Sequence, residues 1–188
     1  MKIKIANQRI KRLISDQLKL SLWNESFGHN SFRKQFRDRL SNLSAAEESI
    51  KALASSIELI SKTYQSTAWG KTDQPDFLNK VISIKTDLIP TELLKKLLET
   101  EQKLKRERLE KWGPRTIDLD LLFFDDLVYA DDNLLIPHPG IASRRFTLIP
   151  LCELYHDFLH PIYGVTLQQL LDNCTDQGKV EIFETENR

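Results

Sequence analysis

The chain has 188 residues, 40% apolar and 29% charged, with 27 basic side chains set against 27 acidic ones. That is one ordinary domain, or one with an extension, and it has enough apolar content to bury a core, which excludes wholesale disorder. The cancelled charge announces neither a nucleic-acid nor a membrane partner, no apolar run reaches the ~18 residues needed to span a bilayer, and no signal-peptide core opens the chain.

The balance of charge hides an asymmetry. Residues 1–39 carry ten Lys/Arg and three Asp/Glu, and residues 40–188 carry 17 and 24. This reads as a basic N-terminal arm without a recognisable nucleic-acid module. Leu40, Leu43, Ala46, Ile50, Leu53 and Ala54 recur at three- and four-residue steps and predict a helix over 38–55. IELISKTY (57–64) predicts a strand, QSTAWGKTDQPD (65–76) a loop and FLNKVISIKT (77–86) a second strand. Pro90-Thr91 opens a helix that runs to about Lys111 and stops at Gly113-Pro114. TIDLDLLFF (116–124) predicts a third strand, with a turn at Asp125-Asp126 and a hairpin return through Leu127–Tyr129. Helices are predicted over 141–154 and 167–171. The order β or coil, α, β, β, α, β, β, α suits an α+β fold, a ferredoxin-like sandwich with helices packed on an antiparallel sheet.

The six glycines are scattered, so no phosphate-cradling glycine loop can be written; phosphates would be handled by side chains and metal. The strongest local signal is WGPRTIDLDLLFF, 112–124. In a strand, Ile117, Leu119 and Leu121 point into a core while Asp118 and Asp120 share the other face, about 6–7 Å apart. A lone D-x-D is most simply a solvated sheet face. Here Arg106, Arg108 and Arg115 flank it, and PHPGIASRRF adds His138, Arg144, Arg145 and Phe146. Arginines pair carboxylates, or bind the phosphates that a carboxylate-held Mg²⁺ bridges. The basic run 103–111 is also what a solvated helix end looks like. Glu101 falls inside the apolar arc of Leu93, Leu94, Leu97, Leu98 and Leu104, which calls for a partner, one of the arginines, or a role in a site. Phe77 and Asn79 share a strand face, where a ring and an amide suit a flat heterocycle, with Trp69 in the loop able to cover it. Phe77 and Phe146 also read as ordinary core.

Taken together, these segments resemble the 6-hydroxymethyl-7,8-dihydropterin pyrophosphokinase family of folate biosynthesis. WGPR-x-x-D-x-D is the specific part; DQPDFLN, R-x-R at 106–108, PHP before RRF, HPIYG (160–164) and YQSTAWG follow in order, over roughly 38–180. The resemblance implies the ferredoxin-like fold and transfer of pyrophosphate from ATP to 6-hydroxymethyl-7,8-dihydropterin, with release of AMP. It implies that Asp118 and Asp120 hold two Mg²⁺ ions, that Phe77 and Phe146 sandwich the pterin, that Asn79 reads its edge, and that Ser66 and Ala68 contact it through the loop. Arg106, Arg108, Trp112, Arg115, His138 and Arg144 match nucleotide- and phosphate-binding positions, Arg106, Arg108 and Arg115 as catalytic candidates, and Glu101 matches an acidic position near the nucleotide pocket. Leu135 stands where some relatives place a polar group near adenine. The partners implied are the small molecules ATP and the pterin, with no nucleic acid and no membrane. A monomer is expected, with an oligomer left open, in the cytoplasm, where Cys152 and Cys174 stay reduced.

One departure stands out. DRLSNL is present at 38–43, but the Gly-Ser-Asn turn that normally precedes it in the family is missing. The expected division is therefore a basic N-terminal segment over 1–37, divergent or holding a first strand around 18–23, and a pyrophosphokinase domain over 38–188. The alternative function is an inactive relative with a damaged first strand, binding ATP or pterin without turnover. A metal-dependent nucleotidyltransferase or nuclease using the same D-x-D is a more distant alternative.

Overall fold

The computed structural model describes residues 14–20, 29–67, 76–106 and 117–184, with side chains over 40–67, 76–104 and 117–184. Its centre is β4 (Phe77–Lys85), which pairs on one side with β1 (Ile14–Leu20) and on the other with both β2 (Ser56–Ile60) and β3 (Tyr64–Ser66). β5 (Asp118–Phe124) flanks β1, and β8 (Val180–Ile182) flanks β3. The order β5-β1-β4-β3-β8, with β2 beside β3 along β4, makes a six-stranded sheet in which every pairing is antiparallel.

Period-two alternation gives the sheet two apolar faces. Leu78, Ile82 and Ile84 of β4 and Leu119 and Leu121 of β5 pack with Ile117 against α1 (His29–Leu53) and α2 (Pro90–Arg106), which contribute Leu43, Ala46, Ile50, Leu93 and Leu97. Val81 and Leu122 pack against α3 (Arg145–Tyr155) and α4 (Leu167–Asp172) through Leu148, Leu151 and Leu167. No helix among the described residues is long and apolar enough to cross a membrane.

Several sequence expectations need correction. The first strand exists, but at Ile14–Leu20, four residues before the 18–23 window, and it is central rather than marginal. α1 starts at His29 instead of 38, so one helix runs across positions 37 and 38. The strand expected over 57–64 is two strands. The Ser61 Oγ accepts the Val81 N–H at 3.0 Å, a side chain taking a ladder position, and the chain restarts at Tyr64. The hairpin return does not pair with β5. β6 (Tyr129–Ala130) pairs with β7 (Leu135–Ile136), because the Asp131 Oδ1 accepts the Asn133 and Leu134 N–H groups, both at 2.7 Å, and forms the turn one step later. α3 begins at Arg145 rather than 141, after turns closed by the His138 and Ile141 carbonyls. β8 had no sequence expectation.

Candidate active site

The register across β1 assembles the site. Lys19 of β1 stands opposite Asn79 of β4 on one side and Asp118 of β5 on the other. Directly opposed residues share a face, so Asn79 and Asp118 lie in one row two strands apart, about 10 Å at normal strand spacing. Gln17 likewise links Val81 with Asp120. Because Val81 packs toward α3, Phe77, Asn79, Asp118 and Asp120 all belong to the α3 face. Asp118 and Asp120 are both half-buried, and Ile117, Leu119 and Leu121 between and around them are buried, as the alternation requires.

Asn79 is 1% exposed. Its Nδ2 donates to the Ser66 Oγ at 2.8 Å, and its Oδ1 has no hydrogen-bond partner among the described residues. A buried acceptor left without a donor costs about 1–3 kcal/mol, so natural proteins rarely keep one without a reason. Phe77, half-buried, opposes Ser66 across the β3–β4 pair. Phe146 is 5% exposed in the first turn of α3.

Just before α3, the Arg144 guanidinium lies against Gly140, whose missing Cβ would sit 2.7 Å from it. The His138 Nδ1 accepts the Gly140 N–H at 3.0 Å, which puts the proton of the neutral ring on Nε2. Gly140 is a residue the sequence reading missed; PHPG reads only as a turn.

Glu101 reaches β5. Its Oε1 accepts the Leu119 N–H at 2.6 Å, midway between the two aspartates. β5 is an edge strand, so this amide faces away from β1 and a carboxylate from α2 satisfies it. The sequence calls for a partner at Glu101, an arginine or a role in a site; the Leu119 amide is one partner the structure describes, and the side chains of Arg106, Arg108 and Arg115 lie outside the described residues. The apolar arc around it also divides. Leu93 and Leu97 are core, whereas Leu98 is exposed on a cavity of about 420 Å³ between α2 and the β6–β7 turn, lined by Thr91, Leu94, Gln102, Asn133 and Leu134 among others. No sequence-predicted site residue is among its described lining. Ala68, Trp69, Arg108, Trp112 and Arg115 lie outside the described residues, and Arg106 is described by its backbone alone.

Among the described residues there is no group of three or more His, Cys, Asp or Glu side chains placed to hold a metal. Two half-buried carboxylates on one face nonetheless fit Mg²⁺, which takes one or two carboxylates and completes its shell with water and substrate phosphates.

An antiparallel α+β sheet bearing this set of residues has known counterparts. The family model for 7,8-dihydro-6-hydroxymethylpterin-pyrophosphokinase matches residues 26–156. The 2-amino-4-hydroxy-6-hydroxymethyldihydropteridine pyrophosphokinase of Synechocystis sp. is 43% identical over 139 residues, 72% of this chain and 71% of that one. The enzyme of the same name from Aquifex aeolicus is 41% identical over 132 residues, 70% of this chain and 82% of that one. A crystal structure of Plasmodium falciparum HPPK-DHPS superposes with a TM-score of 0.63 at 15% identity, covering 88% of this chain and 46% of that one, a likeness of fold alone. The chain belongs to the 7,8-dihydro-6-hydroxymethylpterin-pyrophosphokinase family. Its activity is accordingly pyrophosphoryl transfer from ATP to 6-hydroxymethyl-7,8-dihydropterin in folate biosynthesis.

Proposed function

We propose that the α3 face of the sheet carries out this transfer with the residues described above. The observation that carries the reading is the row from Asn79 to Asp118: a desolvated, donor-seeking amide at one end and a carboxylate pair at the other. The pterin edge supplies the donor for the Asn79 Oδ1, its ring stacks between Phe77 and Phe146, and Ser66 and Ala68 border it on the β3 side. Asp118 and Asp120 hold Mg²⁺, two ions in our reading, and the metal when bound neutralises charge on the triphosphate. His138 offers its Nε2–H and Arg144 its guanidinium to the phosphates. Arg106, at the end of α2, and Arg108, Trp112 and Arg115, between α2 and β5 in sequence, are assigned to the nucleotide and its phosphates with them. Adenine occupies the cavity between α2 and the β6–β7 turn, where Leu94 and Leu98 offer apolar surface and Gln102 and Asn133 offer polar groups. Glu101 acts at the boundary, holding β5 between the two carboxylates.

The chemistry needs little covalent help from the protein. The pterin hydroxymethyl oxygen attacks the β-phosphorus, the bond from that phosphorus to the oxygen shared with the α-phosphate breaks, and AMP leaves with that oxygen. The hydroxyl proton departs to a carboxylate or a water at the Asp118–Asp120 pair. Positioning and charge stabilisation then supply most of the rate.

The sheet order β5-β1-β4-β2, with α1 and α2 as the crossovers, supports reading the sandwich as ferredoxin-like. We take the domain to begin no later than β1, and the chain to act as a cytoplasmic monomer, in keeping with its free cysteines. With β1 in place, nothing favours an inactive relative. The test is AMP release from ATP plus 6-hydroxymethyl-7,8-dihydropterin with Mg²⁺. Folded protein that releases no AMP, or releases pyrophosphate instead, refutes the proposal.

A further inference from the structure

The match to the family model ends at residue 156, yet the segment that holds the two walls of the pterin site together lies beyond it. α3 starts without a cap of its own: Arg144, at the N-cap position, makes no side-chain hydrogen bond to the helix. The cap comes from 31 residues downstream. The Asp176 Oδ2 accepts the Arg145 N–H at 2.9 Å, and its Oδ1 accepts the Gly178 N–H at 2.8 Å. A carboxylate suits a helix N-terminus both as acceptor and as charge. The capped amide belongs to the residue between Arg144 and Phe146.

The same segment grips the opposite wall. The Thr67 N–H donates to the Lys179 carbonyl at 3.1 Å, and Val180 pairs with Ser66 in the β3–β8 ladder. Gly178 keeps the join tight, since a Cβ there would lie 3.0 Å from the Asp176 Oδ1 and 3.6 Å from the Thr67 Oγ1. One short strap, Asp176–Val180, thus binds the start of α3 at one end and the Ser66–Thr67 backbone at the other.

We infer that Asp176 is a positioning residue for the pterin: by capping α3 from the strap that also pairs with Ser66, it fixes the distance between Phe146 and the Ser66–Asn79 pair. It touches no reacting atom. The inference rests on the proposed pterin site, and it assigns to the C-terminal strap a role in substrate affinity.

Steady-state kinetics and melting curves of full-length Asp176→Ala, Asp176→Asn and Phe146→Ala test it. Asp176→Ala should raise the pterin KM about tenfold, the equivalent of one lost cap, and leave the ATP KM within about twofold. Asp176→Asn keeps a side-chain acceptor and should return the pterin KM to within about threefold of the parent. A cap that serves only folding would lower kcat with the active fraction and leave both KM values alone; that result overturns the inference, as does an equal rise in both. If Asp176→Ala is too unstable to assay, Asp176→Ser, whose hydroxyl is a shorter acceptor, should give the same selective rise, and its absence refutes. A raised pterin KM in Phe146→Ala without one in Asp176→Ala overturns the inference alone. An unchanged pterin KM in Phe146→Ala overturns the proposed pterin wall and the inference with it.

Discussion

Replacing Asn79 by leucine separates a ligand-reading role from a structural one. The Asn79 Oδ1 is buried without a donor among the described residues, so removing it recovers about 1–3 kcal/mol. The same change deletes the 2.8 Å bond from Nδ2 to the Ser66 Oγ, about 1 kcal/mol, and leaves that buried hydroxyl short of a partner, about 1 kcal/mol more. Leucine matches asparagine in branching and heavy-atom count, but its methyls are bulkier, and fitting them costs about 1 kcal/mol more. The terms nearly cancel, and the melting temperature should stay within about 4 °C of the parent. Binding behaves differently. A pterin donor that met the Oδ1 would face a methyl group, a loss of about 1.4–2.8 kcal/mol, or ten- to hundredfold in pterin affinity. The ATP KM should be unchanged. Calorimetric pterin titration beside a thermal melt reads both quantities. A melting temperature lowered by more than about 5 °C would mark Asn79 as an ordinary satisfied core residue, and an unchanged pterin affinity would refute its part in recognition.

Three further expectations follow from the geometry. Asp118→Asn and Asp120→Asn should each lower kcat by orders of magnitude while the melting temperature holds or rises, because like charges on one strand face are relieved; unchanged turnover in both removes the metal assignment. Gly140→Ala puts a Cβ 2.7 Å from the Arg144 guanidinium, a flexible end that yields, so stability should hold while the ATP KM rises about fivefold; an ATP KM equal to the parent's shows that this pose of Arg144 does not matter. His160, 3% exposed beside Phe123 and Tyr163, is held below its ordinary value of 6.5 by burial. The unfolded chain therefore takes up a proton that the native state refuses, and its contribution to stability is full above about pH 6.5 and declines as pH falls. The drop in melting temperature from about pH 7 to 5.5 should shrink in His160→Asn, which keeps an acceptor for the Ile162 N–H; an identical slope refutes the assignment.

The parts that were legible in the sequence are those fixed by local period. β4 and β5 alternate cleanly, so the shared face of Asp118 and Asp120, and that of Phe77 and Asn79, could be read two residues at a time. The start of α1 is legible too: Phe32 and Phe36 stand four residues apart in step with Leu40, which extends the helical period ahead of position 38. β1 was harder. ISDQLKL alternates only weakly, and its place is set by neighbours about sixty to seventy residues away on one side and about a hundred on the other. The Asp131 turn and the Ser61 break depend on single side chains competing with backbone, which period cannot report. Gly140 and Asp176 act only through tertiary contact, and Glu101 was recognised as anomalous without its partner being visible, because an edge amide leaves no trace in composition.

The two ends of the Asn79–Asp118 row differ in burial as the ligands proposed for them differ in solvation. A flat heterocycle is read by hydrogen bonds whose value depends on water being absent, and of the groups proposed for it Asn79, Ser66 and Phe146 are each no more than 5% exposed while Phe77 is half-buried. Magnesium keeps part of its water shell, and phosphates arrive and leave hydrated, so carboxylates sealed in the core would pay a desolvation cost with nothing to offset it in the free enzyme. Asp118 and Asp120 instead sit half-buried on the edge strand β5. The backbone of β1 joins the two environments at fixed spacing, so a displacement of that central strand would disturb metal binding and pterin recognition together, whereas a change in the C-terminal strap reaches only the pterin end.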